Sequence, residues 1–518
     1  MWVVKEGCKM NKLMKKVFSR TVITALLIII QAVWLIALLL KFSSALPAIQ
    51  TVLRILSLVA ILFVIRSDMN PSYKIGWVLL IAMLPILGGL MFVIFGNKRP
   101  TKHMRSMLNA QLEKSADYLS RYESIADELA DKDGSAAGLF KYLEGSAGYP
   151  TAKDTQVTYY RVGEELYKDL LAELEKAKKF IFLEYFIISP GIMWDGVLEI
   201  LKRKAAEGVD VRIIYDDMGC VDRLPANYCS KLGEFGIRTM AFNRFVPAVS
   251  LVMNNRDHRK ITVIDGKTGF TGGINLSDEY INEKERFGHW KDTGLMLKGP
   301  GVFNLTLMFL EMWNAFNRDG GEYADYVPDS YELDGEDNGY VLSFSDSPLD
   351  NESVGENVYT DMLYRAKDYI YITTPYLAID SELQSALCMA AKRGVDVRMI
   401  TPGIPDKKLV YQLTRSYYPT LLKAGVKIYE YTPGFVHAKS FVSDDKLCVV
   451  GTINMDYRSL YLHFECGTLM YGSPAIAQVK ADDLETMEKC RRVELSDLKM
   501  TFFGELFNSI LRSIAPLL

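Results

Sequence analysis

The hydropathy pattern opens with two long apolar runs. Val22 to Leu40 (VITALLIIIQAVWLIALLL) carries a single amide, Gln31, and Ile75 to Phe95 (IGWVLLIAMLPILGGLMFVIF) is the second run. Each approaches the ~20 residues that a bilayer-spanning helix requires. A shorter stretch, Ile55 to Ile65, lies between them after Pro47 and Arg54. The pattern predicts a transmembrane hairpin with spans at about 22–40 and 75–95. Lys5, Lys9, Lys12, Lys15, Lys16 and Arg20 precede the first span, and Lys98, Arg99, Lys102 and Arg105 follow the second. Basic flanks prefer the cytoplasm. Both flanks on one side require an even number of crossings: a multi-pass cell-membrane protein with its body on the cytoplasmic face.

After this anchor (residues 1–100) the pattern turns polar. Residues 101–155 contain a charged helical stretch (MLNAQLEKSADYLSRYESIADELADKDG) and end in GSAGYPTAKD, which reads as a solvated connector. From there the pattern repeats. AKKFIFLEYFII, from Ala177, matches AKDYIYITTPYL, from Ala366; both have the β-branched and aromatic make-up of buried strands. An amphipathic helix follows each, and GVDVR recurs at Gly208 to Arg212 and Gly394 to Arg398 to open a further strand. Strand–helix–strand order in both copies predicts two similar α/β halves, 156–325 and 326–518, with sheets flanked by helices. The chain ends in FFGELFNSILRSIAPLL, which places Phe503, Phe507, Ile510, Leu511 and Ile514 on one face of an amphipathic helix.

Charge and cysteine usage narrow the chemistry. A net charge of −3 counts against a nucleic-acid partner, which needs a basic surface. The seven cysteines are scattered without a C-x-x-C, so they read as free thiols in a reducing compartment, and no metal site or other cofactor is expected.

One pattern points to an activity. H-x-K-x-x-x-x-D occurs as His258, Lys260, Asp265 and again as His437, Lys439, Asp444. Gly272 and Asn275 follow the first copy at the offsets at which Gly451 and Asn454 follow the second. The two-residue spacing puts His and Lys on one face of a strand. A phosphodiester needs its charge neutralised, a nucleophile supplied and its leaving oxygen protonated. Lys260 and Lys439 can neutralise the oxygens, Asn275 and Asn454 can donate to them, one imidazole can attack phosphorus and the other can act as general acid. The two imidazoles are then expected to hold different protonation states. A carboxylate best orients such an imidazole; each copy offers one downstream, Asp292 and Glu465. Asp265 and Asp444 close the motif and read as turn-bonding residues. His289 and His463, just before the two acids, read as satisfied polar residues near the site.

At these residues the chain resembles the phospholipase D superfamily, and within it the bacterial cardiolipin synthases. The resemblance rests on RDHRKITVIDGKTGFTGGINLSDEY, HWKDTGLMLKGPGV and PGFVHAKSFVSDDKLCVVGTINMDYRSLYLHFE. It implies two phospholipase D-like halves related by a pseudo-twofold axis, with His258, Lys260, Asp265, His437, Lys439 and Asp444 as the catalytic set. The implied reaction turns two phosphatidylglycerols into cardiolipin and glycerol without a metal, and the implied partners are those lipids and the membrane. Position 273 is Gly where the second copy has Thr452, so a phosphate-binding hydroxyl is expected from one side only. Water or another alcohol remains open as acceptor.

Overall fold

A computed structural model of the chain describes residue 33 and residues 47–67, 69–96, 102–119, 124–244, 255–317, 320–331, 339–350, 352–498 and 501–517. The predicted span 22–40, Val33 apart, lies outside the described residues, as do Lys98 and Arg99. Three helices precede the body: α1 (Pro47–Arg66), α2 (Pro71–Met83) and α3 (Pro85–Phe95). The expected continuous span at 75–95 is thus broken. Leu84, with φ −129° and ψ 73°, separates α2 from α3. Pro85 supplies no N–H and drives the residue before it out of helical geometry. The chain folds back so closely that a Cβ at Gly88 would lie 2.5 Å from the Leu80 carbonyl oxygen. Arg54 and Arg66 bound the apolar run of α1. Among the described residues no helix is long and apolar enough to cross a membrane.

The expected solvated connector is a packed layer. Helices α4 (Lys102–Leu119) and α5 (Ala126–Ser146) bury Met104, Leu108, Leu129, Phe140 and Leu143 in the main core. Polar residues of this segment reach inward as well: Ser115 of α4 and Tyr149, just past α5, both donate to the buried Glu311, at 2.5 and 2.6 Å.

The first half holds β1 (Gln156–Tyr160), β2 (Phe180–Tyr185), β3 (Asp210–Asp216), β4 (Arg238–Phe242), β5 (Lys260–Ile264), β6 (Thr268–Gly272), β7 (His289–Lys291) and β8 (Gly294–Lys298). Seven of these form a sheet in the order β1-β8-β6-β5-β2-β3-β4. The second half holds β9 (Tyr340–Asp346), β10 (Tyr369–Thr373), β11 (Leu377–Ala378), β12 (Asp396–Pro402), β13 (Lys427–Tyr431), β14 (Gly434–Val436), β15 (Ser440–Ser443), β16 (Leu447–Gly451), β17 (Met455–Asp456), β18 (Glu465–Tyr471) and β19 (Cys490–Arg492). Its main sheet runs β9-β18-β16-β15-β10-β12-β13-β19. Strand for strand this is the same order with β19 added, so the repeat in sequence is a repeat in fold. In both sheets the βαβ strands are parallel (β2 with β3, β10 with β12) and the H-x-K strands β5 and β15 pair antiparallel to β2 and β10. Helix Val302–Phe316 is buried along most of its length and touches β5 and β2 of one sheet and β9 of the other.

Asp265 and Asp444 show how each H-x-K strand is anchored. Asp265 accepts from the backbone N–H groups of Lys178, Lys179 and Phe180 at 2.7–2.8 Å. Asp444 accepts from those of Lys367, Asp368 and Tyr369 at 2.8–2.9 Å. Each tethers the far end of its strand to the start of the neighbouring one. Replacing Asp444 with Ala removes three charge-assisted hydrogen bonds and is expected to cost about 2–3 kcal/mol of stability. Urea unfolding checks this, and activity per folded molecule should change little.

Candidate active site

The two halves meet where the segment ahead of each H-x-K strand runs beside the other half. β14 pairs in parallel with β7, setting Val436 opposite Lys291. Asp257 bridges to Phe464 in the same sense. The backbone N–H of His437 donates to the Lys291 carbonyl at 2.7 Å, and that of His258 donates to the Phe464 carbonyl at 2.8 Å. Asp292 and Glu465 follow those carbonyls directly in sequence. The carboxylates therefore cross over. His258 Nδ1 lies 2.9 Å from Glu465 Oε2, and His437 Nδ1 lies 2.7 Å from Asp292 Oδ2. Each half orients the other half's imidazole, which sequence order did not reveal. A carboxylate on Nδ1 fixes the proton there and leaves Nε2 as the nucleophilic nitrogen.

His258, His437, Asn275 and Asn454 line one cleft of about 680 Å³. Asn275 is held by Ile187 N–H on its oxygen (2.9 Å) and donates to Tyr280 Oη (2.8 Å). Lys260 and Lys439 sit beneath the cleft, 1% exposed, each donating to the carbonyl of its own motif histidine. Lys439 Nζ also lies 2.9 and 3.1 Å from the two ring nitrogens of His437. Aromatic rings that the motif did not announce close the walls. Phe186 meets the His258 ring at 5.0 Å, and Trp290 and Tyr280 meet that of His437 at 5.5 and 5.6 Å.

Three expectations change. Asp265 and Asp444, grouped with the catalytic set by resemblance, do not line the cleft and serve as the backbone anchors described above. Thr452 is not free to bind phosphate. Its hydroxyl donates to Glu465 Oε2 at 2.5 Å and accepts from Cys466 N–H at 2.9 Å. Its counterpart is glycine because a Cβ at Gly273 would fall 2.0 Å from Asp292 Oδ1. Finally, His289 is bonded to Tyr431 Oη at 3.0 Å, whereas His463 has only a loose approach of Nδ1 to Glu465 Oε1 at 3.6 Å.

Burial dominates the electrostatics. It pushes His258 down to about 3 against the pull of Glu465, and His437 to about 4 with help from Lys439 and against Asp292. Burial thus favours the neutral form of both imidazoles, and an arriving anion would favour the charged form. Burial also lowers Lys260 to about 8 and Lys439 to about 7. Although burial opposes it, His437 and Lys439 hold the Asp292 carboxyl below its usual range, and His258 does the same for Glu465. An ammonium exists below its pKa and is lost above it. We expect kcat/KM to decline as pH rises through 7–8, and Lys439→Arg to carry that limb upward because guanidinium stays charged. A pH–rate profile of both proteins checks this.

The chain is similar to known proteins. The family model described as "Cardiolipin synthase, PLD-like domain" matches residues 170–293 and 359–487, and "Phospholipase D-nuclease N-terminal" matches residues 55–97. A cardiolipin synthase of Alkalihalophilus pseudofirmus is 32% identical over 87% of this chain and 90% of its own length. One from Geobacillus kaustophilus is 33% identical over the same shares. An uncharacterised protein of Streptococcus mutans is 48% identical over 89% of this chain and 99% of its own. The fold is also that of the crystal structure of phosphatidylserine synthase from Haemophilus influenzae Rd KW20, with a TM-score of 0.55 at 16% identity, covering 73% of this chain and 98% of that one. Fold and duplicated motif define a phospholipase D-like enzyme. The chain belongs to the cardiolipin synthase family within that class, a family of phosphatidyltransferases.

Proposed function

We propose that the protein transfers a phosphatidyl group from one phosphatidylglycerol to a hydroxyl of another, forming cardiolipin and releasing glycerol. The observation that carries this reading is the pair of crossed histidine–carboxylate contacts opening on one cleft. His258 Nε2 attacks phosphorus while Glu465 stabilises the charge that develops on its ring. His437, steadied by Asp292, gives its proton to the departing glycerol oxygen and then takes one from the incoming hydroxyl. Lys260 and Lys439 supply positive charge from below, and Asn275 and Asn454 flank the phosphate. The scheme draws only on the chain's own side chains.

The body is proposed to work at the cytoplasmic face of the cell membrane. Val52, Ile55, Leu56, Leu62 and Phe63 of α1 are exposed, as are Phe502, Phe503, Phe507 and Ile510 of the C-terminal helix Phe502–Ile514. Leu511, expected on that apolar face, is instead buried against the body.

Purified full-length protein supplied with phosphatidylglycerol alone tests the reaction. Cardiolipin and glycerol in equal amounts are expected. Phosphatidic acid in place of cardiolipin would make water the acceptor.

A further inference from the structure

His463 and Trp290 hold equivalent places in the two halves. Each lies one residue before the carbonyl that takes a motif histidine's N–H, and two before the crossing carboxylate. Their rings match: His463 is 5.6 Å from the His258 ring, and Trp290 is 5.5 Å from that of His437. The pairing by sequence, His463 with His289, was off by one residue because HWKD has one more position than HFE. One half-site therefore has a third metal-binding type of side chain and the other has an indole.

That imidazole is costly where it stands. Its side chain is 10% exposed, and its one polar approach is a loose one, from Nδ1 to Glu465 Oε1 at 3.6 Å. Glu465 Oε1, fully buried, has no closer partner than that nitrogen. Ligand atoms of His258, His463 and Glu465 all lie within 4.8 Å of one another. Two imidazoles and a carboxylate, with the fourth direction open to the cleft, are the donor set of an open zinc site. The hard ions Mg²⁺ and Ca²⁺ prefer oxygen ligands and fit it poorly. Lys260, in the field of Glu465, opposes a cation there.

We propose that His258, His463 and Glu465 form an inhibitory site for Zn²⁺ or a similar borderline-soft divalent cation. The ion takes an imidazole nitrogen of His258 and draws Glu465 from its orienting role. Metal and phosphodiester then compete for one residue, so the inhibition raises KM and spares kcat. The His437 half-site, with Trp290 in place of the imidazole, does not bind the ion.

Calorimetric titration of lipid-free, detergent-solubilised full-length protein with ZnCl₂ tests the site without any turnover. We expect one ion per chain and no response to MgCl₂. His463→Asn and His463→Trp, the second of which copies the other half-site, should each weaken binding by roughly 100-fold, with thermal melts verifying that they fold. Inhibition of phosphatidylglycerol turnover, read against each variant's own zinc-free rate, should vanish in both. Binding or inhibition equal to wild type in the two variants, or no zinc binding by wild type, overturns the site. Zinc binding by a wild type that does not turn over phosphatidylglycerol would retain the site and refute the proposed reaction, on which only the competition rests.

Discussion

Replacing His437 with Asn is expected to lower turnover by on the order of 10⁴-fold while the fold stands, and His258→Asn should do the same. The two losses differ in kind. With His437 gone, the glycerol oxygen leaves without a proton, but a leaving group that is already acidic needs none. A phosphatidyl ester of p-nitrophenol should therefore still give a burst of nitrophenolate with His437→Asn, with the phosphatidyl group accumulating on His258. The same ester should give no burst with His258→Asn, which has no nucleophile. Quenched-flow kinetics and mapping of the trapped phosphohistidine separate the two. A burst from His258→Asn would exchange the roles.

The crossed carboxylates extend this test. Asp292→Asn should reproduce the His437 defect in milder form, and Glu465→Gln the His258 defect, because 2.7 and 2.9 Å contacts join those pairs across the halves. An amide in place of a carboxylate can neither fix the Nδ1 tautomer nor balance the imidazolium. Had each carboxylate served its own half, the pairing of defects would be the reverse.

Much of this was legible before any coordinates. The repeated H-x-K frames, the recurrent GVDVR and the two downstream acids name the parts, because strand alternation and motif chemistry are local. The crossing was not legible. It depends on β14 lying beside β7, a contact between segments far apart in the chain. The same holds for Thr452, whose hydroxyl looked free until Glu465 folded onto it. The break at Leu84 was in plain view, since Pro85 interrupts the apolar run, but total hydropathy outweighed it. The connector misled for the opposite reason. Its charges are many, yet Leu108, Leu129, Phe140 and Leu143 are enough to bury one face of its helices.

Arg259 predicts the largest loss of stability. It stands between His258 and Lys260 but points to the other side of the strand and is 3% exposed. Its Nη2 approaches Glu184 Oε1 at 2.5 Å, off the N–H axis, and its Nε lies 3.3 Å from Asp257 Oδ1. Burial drives the Glu184 carboxyl far above its usual range, and Arg259 is the main force pulling it back. Arg259→Met would leave two buried acids without their cation, at a cost of about 3–5 kcal/mol. Without Arg259 the Glu184 carboxyl, already raised, would rise further and take up a proton on folding over a wider pH range. A carboxyl whose folded pKa is raised gains stability as pH falls below that pKa, so the variant should recover stability on acidification relative to wild type. Adding Glu184→Gln should restore part of the loss at neutral pH, since it removes the stranded charge. Urea unfolding of the single and double variants at pH 8 and pH 6 measures both effects. A single variant as stable as wild type, or one that weakens further on acidification, would show that Arg259 does not hold these acids. The pair matters for function because β2 carries Glu184 and Asp257 precedes His258: the ion cluster fixes, from behind, the strand that presents the nucleophile to the cleft.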